Sequence, residues 1–185
     1  MSFMDILEML KEKGAVLEGH FLLSSGLHSK TYIQMAKILQ WPEDVSFLGE
    51  RLARLFLGKN IDVVLSPAIG GITIGYETAR YIKKRAIFAE RRDGKMGLFR
   101  NFEIKAGECV LIVEDVFTTG GTVNEMVEIV EECGGNVVGI GVLVDRSKEK
   151  RDDVSSLVKI DIEVWKGEEC PLCKESIPII KPGSR

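Results

Sequence analysis

The sequence predicts an α/β domain built on a parallel sheet, because short apolar runs alternate with segments of helical periodicity. Continuous apolar runs occur at residues 61–66, 86–90, 109–114 and 137–144. Runs of this length between helices are typical of strands that are covered on both faces. Such sheets bind ligands at the carboxyl ends of their strands, so functional residues are expected directly after the runs.

Apolar residues three and four positions apart predict the helices. A first amphipathic helix begins behind Ser2, a candidate N-cap, and stops near Gly14. Pro42 begins the next helix, which Gly58 ends. Two more helices are predicted over residues 72–82 and 123–132. No repeat or linker interrupts this order, and residues 1–185 are expected to form a single domain.

The composition excludes several classes of protein. With 45% hydrophobic and 29% charged residues among 185, the chain can close a core, which excludes disordered and low-complexity proteins. Its net charge of -3 argues against nonspecific nucleic-acid binding. The apolar stretches are far shorter than the about 20 residues that cross a bilayer. Four cysteines without a signal sequence predict reduced thiols in a cytoplasmic protein.

The most informative segment follows the third apolar run. Two carboxylates, Glu114 and Asp115, stand at the predicted strand end, and residues 118–122 (TTGGT) lead from there into a helix. Glycines allow close approach of the backbone, hydroxyls donate hydrogen bonds, and a helix N-terminus favours an anion such as phosphate. The carboxylates suit vicinal sugar hydroxyls or a hydrated Mg²⁺. The alternative is a glycine-rich turn without a ligand; Walker and dinucleotide-binding motifs are absent.

Residues 110–123 (VLIVEDVFTTGGTV) resemble the phosphoribosyl-diphosphate (PRPP) binding motif of the type I phosphoribosyltransferases. Other segments resemble features of the orotate phosphoribosyltransferases: a base-covering Ser-Gly segment, a mobile basic loop, a carboxylate-binding arginine and a C-terminal tail. These segments are residues 21–32, 90–97, 144–146 and 169–185. The resemblance runs from about Gly19 to the C-terminus.

The resemblance implies a reaction of orotate with PRPP that gives orotidine 5'-monophosphate and pyrophosphate. It implies a type I phosphoribosyltransferase fold with a small hood formed by residues 1–40 and 158–185. It also implies Mg²⁺, held mainly by PRPP, and a homodimer in which the loop 91–95 reaches the neighbouring subunit. The expected location is the cytoplasm, with no nucleic acid or membrane among the partners.

The same resemblance implies functions for individual residues. Lys95 and Asp115 are implied to be catalytic, and Thr118 and Arg146 are implied to bind orotate. The residues implied to bind PRPP are Arg91, Arg92, Lys95, Glu114, Asp115, Val116, Phe117, Thr118, Thr119, Gly120, Gly121 and Thr122. Among them the Thr and Gly residues hold the 5'-phosphate, the acids fix the ribose hydroxyls, and the basic residues neutralise the departing pyrophosphate.

The local charge around the basic loop supports its predicted task. Residues 83–100 carry seven basic and two acidic side chains, a local charge of +5. Residues 83–85 have the alternative interpretation of a solvated helix end. Gly94 and Gly97 flank Lys95 and suggest a lid that closes over the substrate.

The chain departs from the family pattern at several positions. Gly70 stands where many members carry Lys, Ser24 where others carry Lys, and Gly97 where others carry His. Arg92 replaces the second basic residue of the loop, which is usually Lys. Pyrophosphate binding and base stacking are therefore expected to be organised differently here.

The choice of base depends on Arg146. An arginine can pair with the orotate carboxylate through two hydrogen bonds, which a purine does not offer. The alternative is that Arg146 only begins the charged surface run 147–153. Two other functions stay open: a purine-salvage phosphoribosyltransferase, and a PRPP-sensing regulator that binds RNA or DNA.

Cys170 and Cys173 have the CxxC spacing of half a zinc site. No second CxxC pair follows in the sequence, and His20 and His28 are ligands only if the fold brings them close. A structural knuckle or a disulfide is favoured over a catalytic function.

Overall fold

The computed structural model describes residues 3–23, 25–149 and 151–182, with the side chains of residues 3–5 excluded. The predicted N-cap Ser2 and the departure at Ser24 lie outside the described residues. The chain divides into two compact units: a terminal unit, Met1–Ile38 with Ile160–Arg185, and a central unit, Leu39–Lys159. Among the described helices, none has the length and apolarity that crossing a membrane requires.

The chain forms helices and strands in alternation. The helices are α1 (Phe3–Glu12), α2 (Ala36–Leu39), α3 (Pro42–Arg54), α4 (Gly70–Ile82), α5 (Gly121–Glu132) and α6 (Pro171–Lys174). The strands are β1 (Val16–Leu22), β2 (His28–Ile33), β3 (Val63–Pro67), β4 (Arg85–Arg92), β5 (Lys95–Leu98), β6 (Cys109–Phe117), β7 (Asn136–Asp145), β8 (Val154–Lys159) and β9 (Val164–Trp165).

The central unit contains a six-stranded sheet in the order β5-β4-β3-β6-β7-β8. Every neighbouring pair is parallel except β4 and β5, which form an antiparallel hairpin. The parallel sheet predicted from the apolar runs is confirmed. The chain moves outward from β3 to β5 and then returns to place β6 on the other side of β3. This reversal of direction creates a crevice between the carboxyl ends of β3 and β6, where such sheets bind ligands.

Buried apolar side chains fix α5 against this sheet. Val123, Met126 and Val130 occur at helical spacing in α5 and belong to one core cluster with Ile112 and Phe117 of β6. A helix with its apolar residues at this spacing buries one face and orients its first turn. The N-terminus of α5 is thereby held directly after β6, where the Thr/Gly segment lies.

The terminal unit has its own sheet, in the order β1-β2-β9. Both pairs are antiparallel, and the register of β1 against β2 shifts between Glu18 and Phe21. The C-terminal segment returns to β1, because the Ile180 amide donates to the His20 carbonyl and the Leu22 amide donates to the Ile180 carbonyl. The C-terminal segment around Ile180 therefore pairs with the N-terminal strand β1 within this unit.

Two strands of the central sheet do not follow from apolar runs. β8 contains adjacent serines, Ser155 and Ser156, which break the run, and β5 is four residues long. The predicted helix from Pro42 ends at Arg54, ahead of Gly58. These differences arise because strand pairing and helix ends depend on neighbours in space as well as on local pattern.

Candidate active site

A cavity of about 500 Å³ lies in the central unit, after the carboxyl end of β6. Its lining consists of two carboxylates, one guanidinium, one apolar side chain and the Thr/Gly loop. The lining residues are Arg91, Glu114, Val116, Thr118, Thr119, Gly120, Gly121, Thr122 and Glu125. All of them except Glu125, which is in α5, belong to the set that the resemblance implies to bind PRPP. Asp115 and Phe117, two other members of that set, are not part of this lining.

The acidic pair at the end of β6 is poorly solvated. Glu114 is buried with 9% of its surface exposed. Burial, reinforced by the neighbouring Asp115, raises the pKa of Glu114 from 4.5 to about 8. Burial also raises the pKa of Asp115, against the opposing effect of the Val116 amide, which donates to its Oδ1 at 3.0 Å. The raised pKa favours the protonated form of Glu114 near neutral pH in the free protein.

The Thr/Gly loop turns from β6 into α5 with its hydroxyl side chains outward. Thr118 and Thr119 are exposed, and Gly120 precedes the helix with a φ of +82°. This left-handed conformation costs glycine little, so Gly120 allows the sharp turn. The first-turn amides of a helix have no partner within the helix and favour an anion. Hydroxyls, free amides and a helix dipole thus converge on one side of the cavity.

The loop is supported from beneath by residues that do not line the cavity. Phe117 is 1% exposed, so its side chain belongs to the core rather than to the cavity wall. The Arg151 guanidinium lies 5.6 Å from the centre of the Phe117 ring and donates to Asn124 Oδ1 at 2.8 Å. A Cβ on Gly120 would come within 3.0 Å of both Phe117 and Arg151. Arg151 was not predicted from the sequence, because its contacts with the loop are to residues 27 and 34 positions away.

Gly70, one of the departures from the family pattern, lies against the acidic pair. A Cβ at this position would be 2.4 Å from Asp115 Oδ2, so any side chain here requires the Asp115 carboxylate to move. Gly70 is also the first residue of α4. The N-terminus of a helix, with its partial positive charge, thus stands close to this carboxylate.

The predicted mobile loop is the hairpin of β4 and β5. Arg92 pairs with Lys95 across a two-residue turn at Asp93 and Gly94, both with positive φ. Successive residues of a strand point to opposite faces, so Arg91 and Arg92 diverge. The hairpin therefore separates the basic residues that the sequence grouped together.

Arg91 faces the 500 Å³ cavity and is held there by Glu125. Arg91 Nη1 donates to Glu125 Oε1 at 2.9 Å and to the Gly94 carbonyl at 2.6 Å, and Nη2 pairs with Glu125 Oε2. The hydrogen bond from Arg91 lowers the pKa of Glu125. Arg91 is thus placed at the cavity, with its charge shared by a carboxylate.

Arg92 and Lys95 lie along a different concavity, of about 650 Å³, formed by the outer part of the hairpin and the end of α5. The Arg92 guanidinium lies 4.0 Å from the centre of the Phe99 ring and pairs with Glu90 at 2.7 Å. All four arginines of residues 83–100 form ion pairs, so the local charge of +5 is partly neutralised. Within this chain, Arg92 and Lys95 are not brought to the acidic pair.

Arg146 lies at the carboxyl edge of the sheet, beside the Thr/Gly loop. It follows β7, whose last residue Asp145 pairs with Phe117, and its amide donates to the Phe117 carbonyl at 2.8 Å. Its side chain is half-buried. Arg146 is outside the lining of the 500 Å³ cavity and next to the residues that form it.

Comparison with known proteins agrees with this geometry. Residues 34–173 match the phosphoribosyl transferase domain. An orotate phosphoribosyltransferase of Caldanaerobacter subterraneus subsp. tengcongensis is 54% identical, over 97% of this chain and 96% of the relative. One of Thermotoga maritima is 49% identical, over 97% of this chain and 98% of the relative.

A solved structure supports the same grouping. The crystal structure of orotate phosphoribosyltransferase from Aeropyrum pernix superposes with a TM-score of 0.71 at 27% identity, over 84% of this chain and 93% of that chain. The resemblance found in the sequence is confirmed. The chain belongs to the phosphoribosyl transferase family, and within it to the orotate phosphoribosyltransferases.

Proposed function

We propose that the chain transfers the ribose 5-phosphate group of PRPP to orotate, giving orotidine 5'-monophosphate and pyrophosphate, as a step of pyrimidine nucleotide synthesis. The cavity at the end of β6 carries this proposal, because Glu114 of the acidic pair and the Thr/Gly loop line it together. The relatives at about 50% identity bear the matching name. Both substrates are small and water-soluble, and we expect the protein to act in the cytoplasm.

The 5'-phosphate binds at the Thr/Gly loop. The donors are the hydroxyls of Thr118, Thr119 and Thr122 and the first amides of α5. A phosphate dianion can accept several of these hydrogen bonds at the same time. Gly120 and Gly121 leave room for the phosphate because they carry no side chain. This binding fixes one end of PRPP against the rigid end of β6.

The ribose lies over the acidic pair. Glu114 and Asp115 accept hydrogen bonds from the 2- and 3-hydroxyls of the ribose. These hydrogen bonds strengthen as positive charge develops on the sugar ring. The bond between C1 and the pyrophosphate oxygen breaks as the bond between C1 and an orotate nitrogen forms, and the proton of that nitrogen passes to the departing pyrophosphate. The transition state has oxocarbenium character, so the carboxylate of Asp115 stabilises it more than it stabilises the ground state.

Mg²⁺ is the proposed cofactor, held mainly by PRPP. The residues present suit it, because carboxylate oxygens are hard ligands: Glu114 lines the cavity, and Asp115 follows it at the end of β6. When bound, the ion neutralises charge on the departing pyrophosphate.

Arg91, Arg92 and Lys95 are proposed to neutralise the rest of that charge. Arg91 does so within its own chain, since it lines the cavity. Arg92 and Lys95 point elsewhere in the single chain, which supports the proposal that the hairpin reaches the site of a second subunit in a homodimer. Arg146 binds the orotate carboxylate next to the loop.

The function is tested by following the loss of orotate absorbance in the presence of PRPP and Mg²⁺. We expect turnover that needs both, and a loss of at least about a hundredfold in Asp115→Asn. Lys105→Ala, an exposed lysine of the central unit outside the cavity, serves as the control and should retain the rate. Turnover of adenine or hypoxanthine instead of orotate would refute the assignment.

The proposed exchange of hairpins is tested by mixing two inactive variants, Lys95→Ala and Asp115→Asn. If Lys95 acts in the partner's site, each mixed dimer has one site with both residues, and about a quarter of the activity returns. If Lys95 acts in its own chain, or if the protein is a monomer, no activity returns on mixing.

A further inference from the structure

Four metal-binding side chains meet in the terminal unit, outside the cavity described above. The ligand atoms of His20, His28, Cys170 and Cys173 all lie within 4.8 Å of one another. His20 and His28 come from neighbouring strands, while Cys170 is the N-cap of α6 and Cys173 lies within its single turn. We propose that these four residues bind one structural Zn²⁺ ion.

The strand register places both imidazoles together. Leu22 pairs with His28, and His20 is two residues before Leu22 in the same strand. Residues two apart in a strand share a face, so His20 and His28 project to the same side of the sheet. The register shifts between Glu18 and Phe21, and the centres of the two imidazole rings are 5.0 Å apart.

The distances agree with a tetrahedral site. His20 Nε2 and His28 Nδ1 are 3.0 Å apart, and three of the four nitrogen–sulfur separations are 3.3, 3.5 and 3.7 Å. The bond lengths of tetrahedral zinc require about 3.3 Å between nitrogens and about 3.6 Å between nitrogen and sulfur. One ion at the centre therefore reaches all four atoms with small adjustments of the side chains.

The tautomer of His20 favours an ion over a hydrogen-bonded cluster. His20 Nδ1 lies 2.8 Å from the Ile177 carbonyl, to which it can only donate, so Nε2 presents a lone pair toward the cluster. His28 and both sulfur atoms all approach this single lone pair. One lone pair cannot accept three donors well, whereas one cation satisfies four lone pairs. In zinc sites, the ring nitrogen of a histidine that does not bind the metal commonly donates a hydrogen bond to a carbonyl, as His20 Nδ1 does here.

The surroundings point to a structural ion. Of residues 166–180, all of them described, Cys170 alone is buried and Leu172 is half-buried. A segment with so little buried apolar surface gains most from a cross-link, because the hydrophobic effect contributes little to holding it. Two thiolates and two imidazoles complete the tetrahedron and leave no open position for a substrate. Cys170 and Cys173 are free thiols, as such binding requires.

The first test is metal analysis of the full chain, purified without a metal-binding tag. We expect about one zinc per chain in the wild type and about a tenth of that or less in Cys173→Ser. Cys173 is exposed, so the variant is expected to fold. The control is Cys133→Ser, a half-buried cysteine of the central unit, which should keep its zinc. Zinc retained by Cys173→Ser would overturn the proposal.

The second test removes the ion from the wild type with a chelator. We expect the thermal midpoint to fall by about 10 °C and amide exchange to accelerate in residues 166–180, both reversed by added Zn²⁺. Cys173→Ser should show neither response. A wild-type chain that holds no zinc and takes up none when it is added would contradict the proposal. A measured mass of the intact chain that is two hydrogens lower would also contradict the proposal, because it indicates a Cys170–Cys173 disulfide.

Discussion

The Thr/Gly loop, which is proposed to bind phosphate, and the basic hairpin differ in how completely one chain assembles them. The loop and the acidic pair are continuous in sequence, run from the end of β6 into α5, and are supported by Phe117 and Arg151. The tip of the hairpin of β4 and β5, residues 91–95, is exposed, and its basic residues divide between two faces. The proposed binding half of the site is therefore built in advance, while the charge proposed to assist the leaving group is only partly in place.

The largest effect is expected from Lys95→Ala. If the hairpin serves the chemical step rather than binding, kcat falls by about a thousandfold while the Kd for PRPP changes little. Steady-state rates and PRPP titration of the same preparations check this, with Lys105→Ala as the control. Unchanged turnover in this variant would show that Lys95 has no part in catalysis.

Arg146→Ala tests whether the edge of the sheet selects the base. Loss of a bidentate pair with the orotate carboxylate should raise the KM for orotate by about thirtyfold and leave the KM for PRPP nearly unchanged. Arg146→Lys should recover part of the loss, because it restores the charge without the paired geometry. Equal changes in the KM values for orotate and PRPP would show that Arg146 does not bind the orotate carboxylate.

Glu114 makes the stability of the binding half depend on pH. The folded chain keeps the Glu114 proton up to a pKa of about 8, whereas the unfolded chain loses it near 4.5. This contribution to stability is complete below 4.5 and is lost as the pH rises to about 8. The free energy of unfolding of the wild type should therefore fall relative to that of Glu114→Gln, by at most about 1.4 kcal/mol for each pH unit. Urea unfolding of both proteins across this range checks the slope, and parallel curves would contradict it.

Glu125→Gln gives the smallest expected change. Glu125 adds negative charge to a cavity that receives a highly charged anion and competes with it for Arg91. Its removal should lower the KM for PRPP by about threefold at low ionic strength, with the effect fading in salt, because both groups are partly exposed. A raised KM would instead mean that Glu125 holds Arg91 in the position that PRPP needs.

The sequence predicted the regions in which local pattern determines structure. The apolar runs and the segment 110–123 are continuous, so the parallel strands and the acidic loop followed directly from them. Glu125 and Arg151 were missed because their partners, Arg91 and Asn124, lie 34 and 27 residues away. The cluster of two histidines and two cysteines joins positions up to 153 residues apart. The sequence alone indicated a metal-binding spacing only for its two cysteines.

The opposite orientations of Arg91 and Arg92 could also not be predicted from composition. A local charge of +5 says nothing about which face of a hairpin each side chain occupies. The two-residue turn at Asp93 and Gly94 fixes the register of β4 against β5, and the register fixes the faces.

The most direct measurement is identification of the nucleotide formed when the protein meets several bases at once. Orotate, uracil, adenine and hypoxanthine are supplied together with PRPP and Mg²⁺. The products are then separated and identified by mass spectrometry. We predict orotidine 5'-monophosphate as the sole nucleotide, with an equal amount of pyrophosphate. A purine nucleotide, or PRPP left intact in the presence of orotate, would contradict the proposed function.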